Sequence, residues 1–89
     1  MKIVFEVHFK KKDDFIEEDF LKVISKNLTQ LNMVTSFKYM AIDEGYLFEV
    51  EYKNLIPGIT YQPILGCFSN LEREYPYISN MTIPVERMR

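Results

Sequence analysis

Residues 2–9 alternate between two sets of side chains, with Ile3, Phe5, Val7 and Phe9 on one side and Lys2, Val4, Glu6 and His8 on the other. A period of two is that of a β-strand with one buried face. The pattern breaks at "KKKDD". Asp14 and Glu17 have capping-box spacing, and Glu17, Glu18 and Asp19 put negative charge in a first helical turn. Ile16, Phe20, Ile24, Leu28 and Leu31 recur at helical spacing, which predicts a helix from about Phe15 to Leu31. Glu18 and Lys22 form an i,i+4 pair on its outer side.

Residues 34–42 and 46–53 read as a hairpin around "DEG", with Phe37, Tyr39 and Ala41 on the same face as Tyr46, Phe48 and Val50. "NLIPGIT" is then a loop turned by Pro57-Gly58. Thr60 caps a second helix, Pro63 sits in its first turn and Pro76 ends it. The stripe of that helix is Tyr61, Leu65, Phe68, Leu71 and Tyr75, with Ile64 beside it. Gly66 costs about 1 kcal/mol in a helix, so it marks a close backbone approach. A last strand turns Met81, Ile83 and Val85 inward and Thr82, Pro84 and Glu86 outward.

The order β-α-β-β-α-β is the split βαβ, ferredoxin-like arrangement of an α+β sandwich. It implies a four-stranded antiparallel sheet ordered 4-1-3-2, with two helices on one face and the other face open. Pro84 agrees, because prolines in sheets belong on edges and the fourth strand is an edge here. The chain shows no repeats and no linker, so residues 1–89 are read as a single ferredoxin-like domain.

Within the third strand, "EGYLFEVEY" at 44–52 resembles the RNA-recognition motif, whose signature is K/R-G-F/Y-G/A-F-V-x-F/Y. That resemblance implies Tyr46 and Phe48 standing out of the sheet to stack on bases. Strand geometry would then bury Leu47, Glu49 and Glu51, and two unpartnered carboxylates cost more than stacking returns. Glu44 also replaces the basic residue, Leu47 the small one and Glu49 the valine. The aromatics are therefore core. A net charge of −2 and a pI of about 5.4 point the same way, since phosphate neutralisation supplies most nucleic-acid affinity. Nucleic acid is not the expected partner.

With the core settled, the open face follows. It presents Val4, Glu6 and His8 beside Leu47, Glu49 and Glu51, and adds Ser36, Lys38, Met40 and Ile42 from the second strand. Lys38 lies opposite Glu49 or Glu51. An acidic centre with an apolar margin fits a protein partner, either a basic target or a second copy in a homodimer. Glu6, His8, Glu49 and Glu51 are able metal ligands, yet lack any known ligand spacing.

Little else carries chemistry. His8 is the only histidine, so any Ser-His-Asp or Cys-His arrangement must use it. Cys67, the single cysteine, falls on the second helix beside Phe68 and reads as a structural thiol. The chain has neither phosphate-binding glycine motif, and no cofactor is implied. Acylphosphatases are similar in size and fold, but they carry a glycine-rich loop with a basic residue after the first strand; "KKKDD" has no glycine. An enzyme or small-molecule-binding protein of the dimeric α/β-barrel kind would need a pocket between sheet and helices, lined by Tyr39, Tyr46, Tyr52, Tyr61 or Tyr75. A packed core would leave no such cavity.

The expectation is thus a small non-enzymatic binding or regulatory domain, inhibitor- or immunity-like. It acts through Glu6, His8, Lys38, Met40, Leu47, Glu49 and Glu51. The lone cysteine, the absence of a signal peptide and the absence of an apolar run of membrane-spanning length place it in the cytoplasm, away from membranes.

Overall fold

The computed structural model describes residues 1–53 and 61–84. The turn at Pro57-Gly58, the Thr60 cap and the positions of Val85 and Glu86 lie outside the described residues. The elements are β1 (Lys2–Lys11), α1 (Glu17–Thr29), β2 (Val34–Ile42), β3 (Gly45–Tyr52), α2 (Gln62–Ser69), α3 (Leu71–Glu74) and β4 (Ile78–Thr82). The fold is α+β: an open four-stranded antiparallel sheet of order β2-β3-β1-β4, and three helices among the described residues. Strands β1 and β3 are central; β2 and β4 are edges.

The core forms where two periodicities meet. Ile3, Phe5, Val7 and Phe9 of β1 and Tyr46, Phe48, Val50 and Tyr52 of β3 are buried on one face of the sheet. Onto it α1 lays Phe20, Ile24 and Leu28, while α2 and α3 add Ile64, Phe68 and Leu71. Phe68 meets Phe5 edge-on at 5.3 Å and Phe48 at 5.2 Å, and Phe20 stacks on Tyr46 at 5.3 Å. Each such pair contributes about 0.5–1.5 kcal/mol beyond the area it buries. Tyr46 and Phe48 are both fully buried, so base stacking by them is ruled out.

Several local expectations are corrected. Helix α1 starts at Glu17, two residues later than the periodicity predicts, and its N-cap is Ile16 with no side-chain cap from Asp14. Ile16 is instead held from far along the chain. The Ile16 N–H donates to Tyr75 Oη at 2.7 Å, and that hydroxyl donates to the Ile16 carbonyl at 2.8 Å. A hydroxyl held on a buried ring is already ordered, whereas an exposed Asp14 would lose rotamer freedom to reach the same groups.

The second helix divides at Asn70 into α2 and α3, giving three helices instead of two. Its buried side is Ile64, Phe68, Leu71 and Tyr75, while Leu65 is half-buried and Tyr61 exposed. Pro76 follows a helix that has already ended at Glu74. Strand β4 stops at Thr82, so Pro84 lies beyond it. The β1–β4 register shifts between His8 and Lys10, and there Asn80 takes a φ of 54°, the left-handed conformation that asparagine tolerates.

Gly66 does not mark a close approach: a Cβ built on it meets nothing within 4 Å. Its only effect is the backbone entropy of glycine in a helix. Gly66→Ala is expected to stabilise the fold by about 0.5–1 kcal/mol, seen as a raised denaturant midpoint with an unchanged slope.

Candidate functional site

The face of the sheet away from the helices carries every residue singled out from the sequence. Across β1, β3 and β2 the register aligns Val4 with Glu49 and Lys38, Glu6 with Leu47 and Met40, and His8 with Gly45 and Ile42. Glu51 lies between Lys2 and Ser36. Glu6, His8, Leu47 and Glu49 are half-buried by their neighbours in the sheet; Lys38, Met40 and Glu51 are exposed.

Cations interleave with the carboxylates on this face. Lys2 Nζ lies 3.5 Å from Glu49 Oε1, and Lys38 is the cross-strand partner of Glu49 from the other side. Ser36 Oγ donates to Glu51 Oε2 at 3.4 Å. Exposed pairs of this kind add up to about 1 kcal/mol each, so they shape the surface more than they hold the fold.

His8 is the most constrained polar group on the face. Its Nε2 lies 2.9 Å from Glu6 Oε1 and its Nδ1 lies 3.1 Å from Glu44 Oε2. The Glu6 contact is a hydrogen bond, while the Glu44 carboxylate approaches the other ring nitrogen. Glu6 and His8 are neighbours because residues i and i+2 of a strand share a face. Glu44 was missed from the sequence. It reaches His8 because Gly45 pairs with His8 and the Phe9 N–H donates to the Glu44 carbonyl at 2.8 Å. An open concavity of about 680 Å³ adjoins this trio, lined in part by Lys10, Asp43, Asn80 and Thr82.

His8 and Cys67, the two residues a Cys-His arrangement would need, lie on different layers. Cys67 lies in the helical layer, where its Sγ donates to the Asn27 carbonyl at 3.4 Å and the Pro63 carbonyl at 3.6 Å. Burial, and then Glu74, push that thiol above its ordinary value of 9.0, which suppresses the reactive thiolate. The lysine run is split between roles. Lys11 Nζ sits 5.0 Å from the Phe15 ring centroid and 5.6 Å from that of Tyr46, while the Lys12 N–H donates to the Tyr77 carbonyl at 2.8 Å. No cluster of three or more His, Cys, Asp or Glu able to hold a metal occurs among the described residues.

The tyrosines do not converge on a pocket. Tyr46 and Tyr75 pack against Phe20, Tyr52 is buried at the end of β3, and Tyr39 and Tyr61 lie at the surface. Tyr46 Oη donates to Glu17 Oε2 at 2.5 Å. Burial, followed by that carboxylate, holds its phenol far above the ordinary value of 10.0.

The arrangement defines an α+β domain with an uncovered sheet face of mixed charge and a histidine locked between carboxylates. No protein-family model matches this sequence, and no curated protein or solved structure matches it either. Among the described residues, no helix is long and apolar enough to cross a membrane.

Proposed function

We propose that this chain is a ferredoxin-like domain that works by binding a protein through its open sheet face, without catalysis. Read from the β4 edge, the strand order is 4-1-3-2, with all neighbours antiparallel, and this supports the assignment. One observation carries the binding reading. Leu47 and Met40 are cross-strand partners on the open face, Val4 lies in the next row beside Glu49, and Met40 is 57% exposed. Apolar side chains set among charged ones are ordinary components of a protein interface. Glu6, Glu49 and Glu51 suit a partner that brings basic side chains to the rim, and His8 is held ready beside Glu6. Small inhibitor- or immunity-like regulators act in this manner, and a cytoplasmic setting fits the lone thiol of Cys67.

Glu49→Lys combined with Glu51→Lys tests the reading. Both replacements set a lysine beside Lys2, and the one at 49 also faces Lys38, so the thermal melt is expected to fall modestly while the chain stays folded. Reversing two rim charges is expected to weaken partner binding at least about tenfold. The measurement is side-by-side capture with both folded baits, followed by titration of the protein that wild type retains. A partner bound equally by both baits removes the face from consideration.

A further inference from the structure

We infer that the outer edge of β2, which pairs with no other strand among the described residues, pairs with β2 of a second copy of this chain, antiparallel, about a two-fold axis at Tyr39. This concerns the edge of the sheet, and it stands independently of what binds the open face.

The backbone sets which groups are available. Met1 and Tyr52 exchange hydrogen bonds of 2.9 and 2.8 Å, which places Tyr52 among the residues of β3 that bond to β1. Along an antiparallel ladder the bonding side alternates residue by residue. Val50, Phe48 and Tyr46 therefore also bond to β1, and Leu47 and Glu49 bond to their partners Met40 and Lys38 on β2. By the same alternation, Phe37, Tyr39 and Ala41 direct their N–H and C=O groups out of the sheet.

The two edges differ in how they treat such groups. Strand β4 has 5 residues, a register shift against β1 and a left-handed Asn80, all features that blunt an edge. Strand β2 has 9 residues, "VTSFKYMAI", with Lys38 its only charge and neither proline nor glycine; its register against β3 shifts only at one end, between Val34 and Ser36, and runs unbroken from Ser36 to Ile42. Tyr39 and Met40 are 49% and 57% exposed and point to opposite faces of it. The helical layer stops short of this edge, leaving a groove of about 390 Å³ between Tyr39 and Leu21, Lys22 and Ser25 of α1.

An identical strand fits this edge in one register. With the two-fold at Tyr39, Phe37 faces the partner's Ala41 and Tyr39 faces the partner's Tyr39, so every outward backbone group meets another. Lys38 then lies opposite the partner's Met40. A two-fold at Lys38 would set like charges against each other, one at Phe37 would carry the overlap across the register shift between Val34 and Ser36, and one at Met40 would put Phe37 opposite the partner's Asp43 in the turn, shortening the overlap. The paired Tyr39 rings extend an aromatic layer that already joins Tyr39 to Tyr46, edge-on at 6.2 Å.

Sedimentation of the full chain from about 1 μM to about 1 mM tests this. Wild type is expected to form a dimer as concentration rises. Tyr39→Lys and Tyr39→Glu, each opposing its own charge at the axis, are expected to remain folded monomers by circular dichroism and sedimentation. An equimolar mixture of the two is expected to recover the dimer. A wild type that stays monomeric throughout overturns the proposal, as does a Tyr39→Lys chain that still dimerises. A mixture that stays monomeric overturns the axis at Tyr39. Dimerisation lost in Glu49→Lys/Glu51→Lys and retained in Tyr39→Lys would assign the interface to the face instead.

Discussion

Gly45→Ala is expected to cost about 2–4 kcal/mol and to open the His8 cluster. A Cβ at this position would lie 1.9 Å from the Val7 carbonyl oxygen and 3.2 Å from the His8 Cα. Both are backbone atoms in the middle of a sheet, so neither can swing aside. The φ of +155° adds to the strain, because side-chain-bearing residues rarely adopt it. Relief requires β3 to move away from β1 at the pair formed by His8 and Gly45, which withdraws Glu44 from the imidazole. Denaturant unfolding gives the loss, and the His8 ring resonances report the departure of Glu44. A variant as stable as wild type would show that the hairpin turn shifts independently of β1. The opposite sign expected for Gly66→Ala makes the two glycines a matched control: one sits against a carbonyl, the other beside open space.

The second large effect appears in alkali. Tyr46 is fully buried, its hydroxyl donates to Glu17, and its phenol holds its proton far above the ordinary value of 10.0. In the unfolded chain the same phenol ionises near that ordinary value. The unfolded state then binds fewer protons than the native state, so stability is fully present below about pH 10 and falls as pH rises towards the native value. The loss from this one group approaches about 1.4 kcal/mol per pH unit. Tyr46→Phe is expected to be weaker by about 1–2 kcal/mol at pH 8, having lost a hydrogen bond to a carboxylate. Between pH 10 and 11 it should decline less steeply than wild type. Unfolding curves at these pH values, with tyrosinate absorbance followed in parallel, check both parts. Equal slopes would mean that Tyr46 ionises while still in the fold.

What was legible in the sequence is what depends on near neighbours. The alternation at Ile3, Phe5, Val7 and Phe9 fixes the buried face of β1 whatever packs on it, and Glu6 and His8 share the other face for the same reason. The partner of Lys38, open between Glu49 and Glu51 in the sequence, is Glu49 because the Asp43-Glu44 turn sets the hairpin register. The parts that were not legible depend on distant residues. Tyr75 engages Ile16 where Asp14 was expected to act, since it is fixed by the packing of α3. Glu44 joins His8 only because β3 lies beside β1. The break at Asn70 and the shift at Asn80 reflect how α2, α3 and β4 fit over strands already placed.

The double hydrogen bond between Tyr75 and Ile16 also bears on the order in which the chain folds. Its partners are 59 positions apart, and β1 pairs with β3 on one side and β4 on the other. Strand β1 therefore completes its pairing only when β4 has docked. Helix α1, 13 residues long, is too short to hold itself in water and gains the Tyr75 contacts at Ile16 only when α3 has packed. The β2–β3 hairpin is the local nucleus that can form early, whereas Phe5 and Phe20 gain Phe68 and Tyr75 only across long sequence separations. Completing the aromatic core thus depends on joining elements far apart in the sequence.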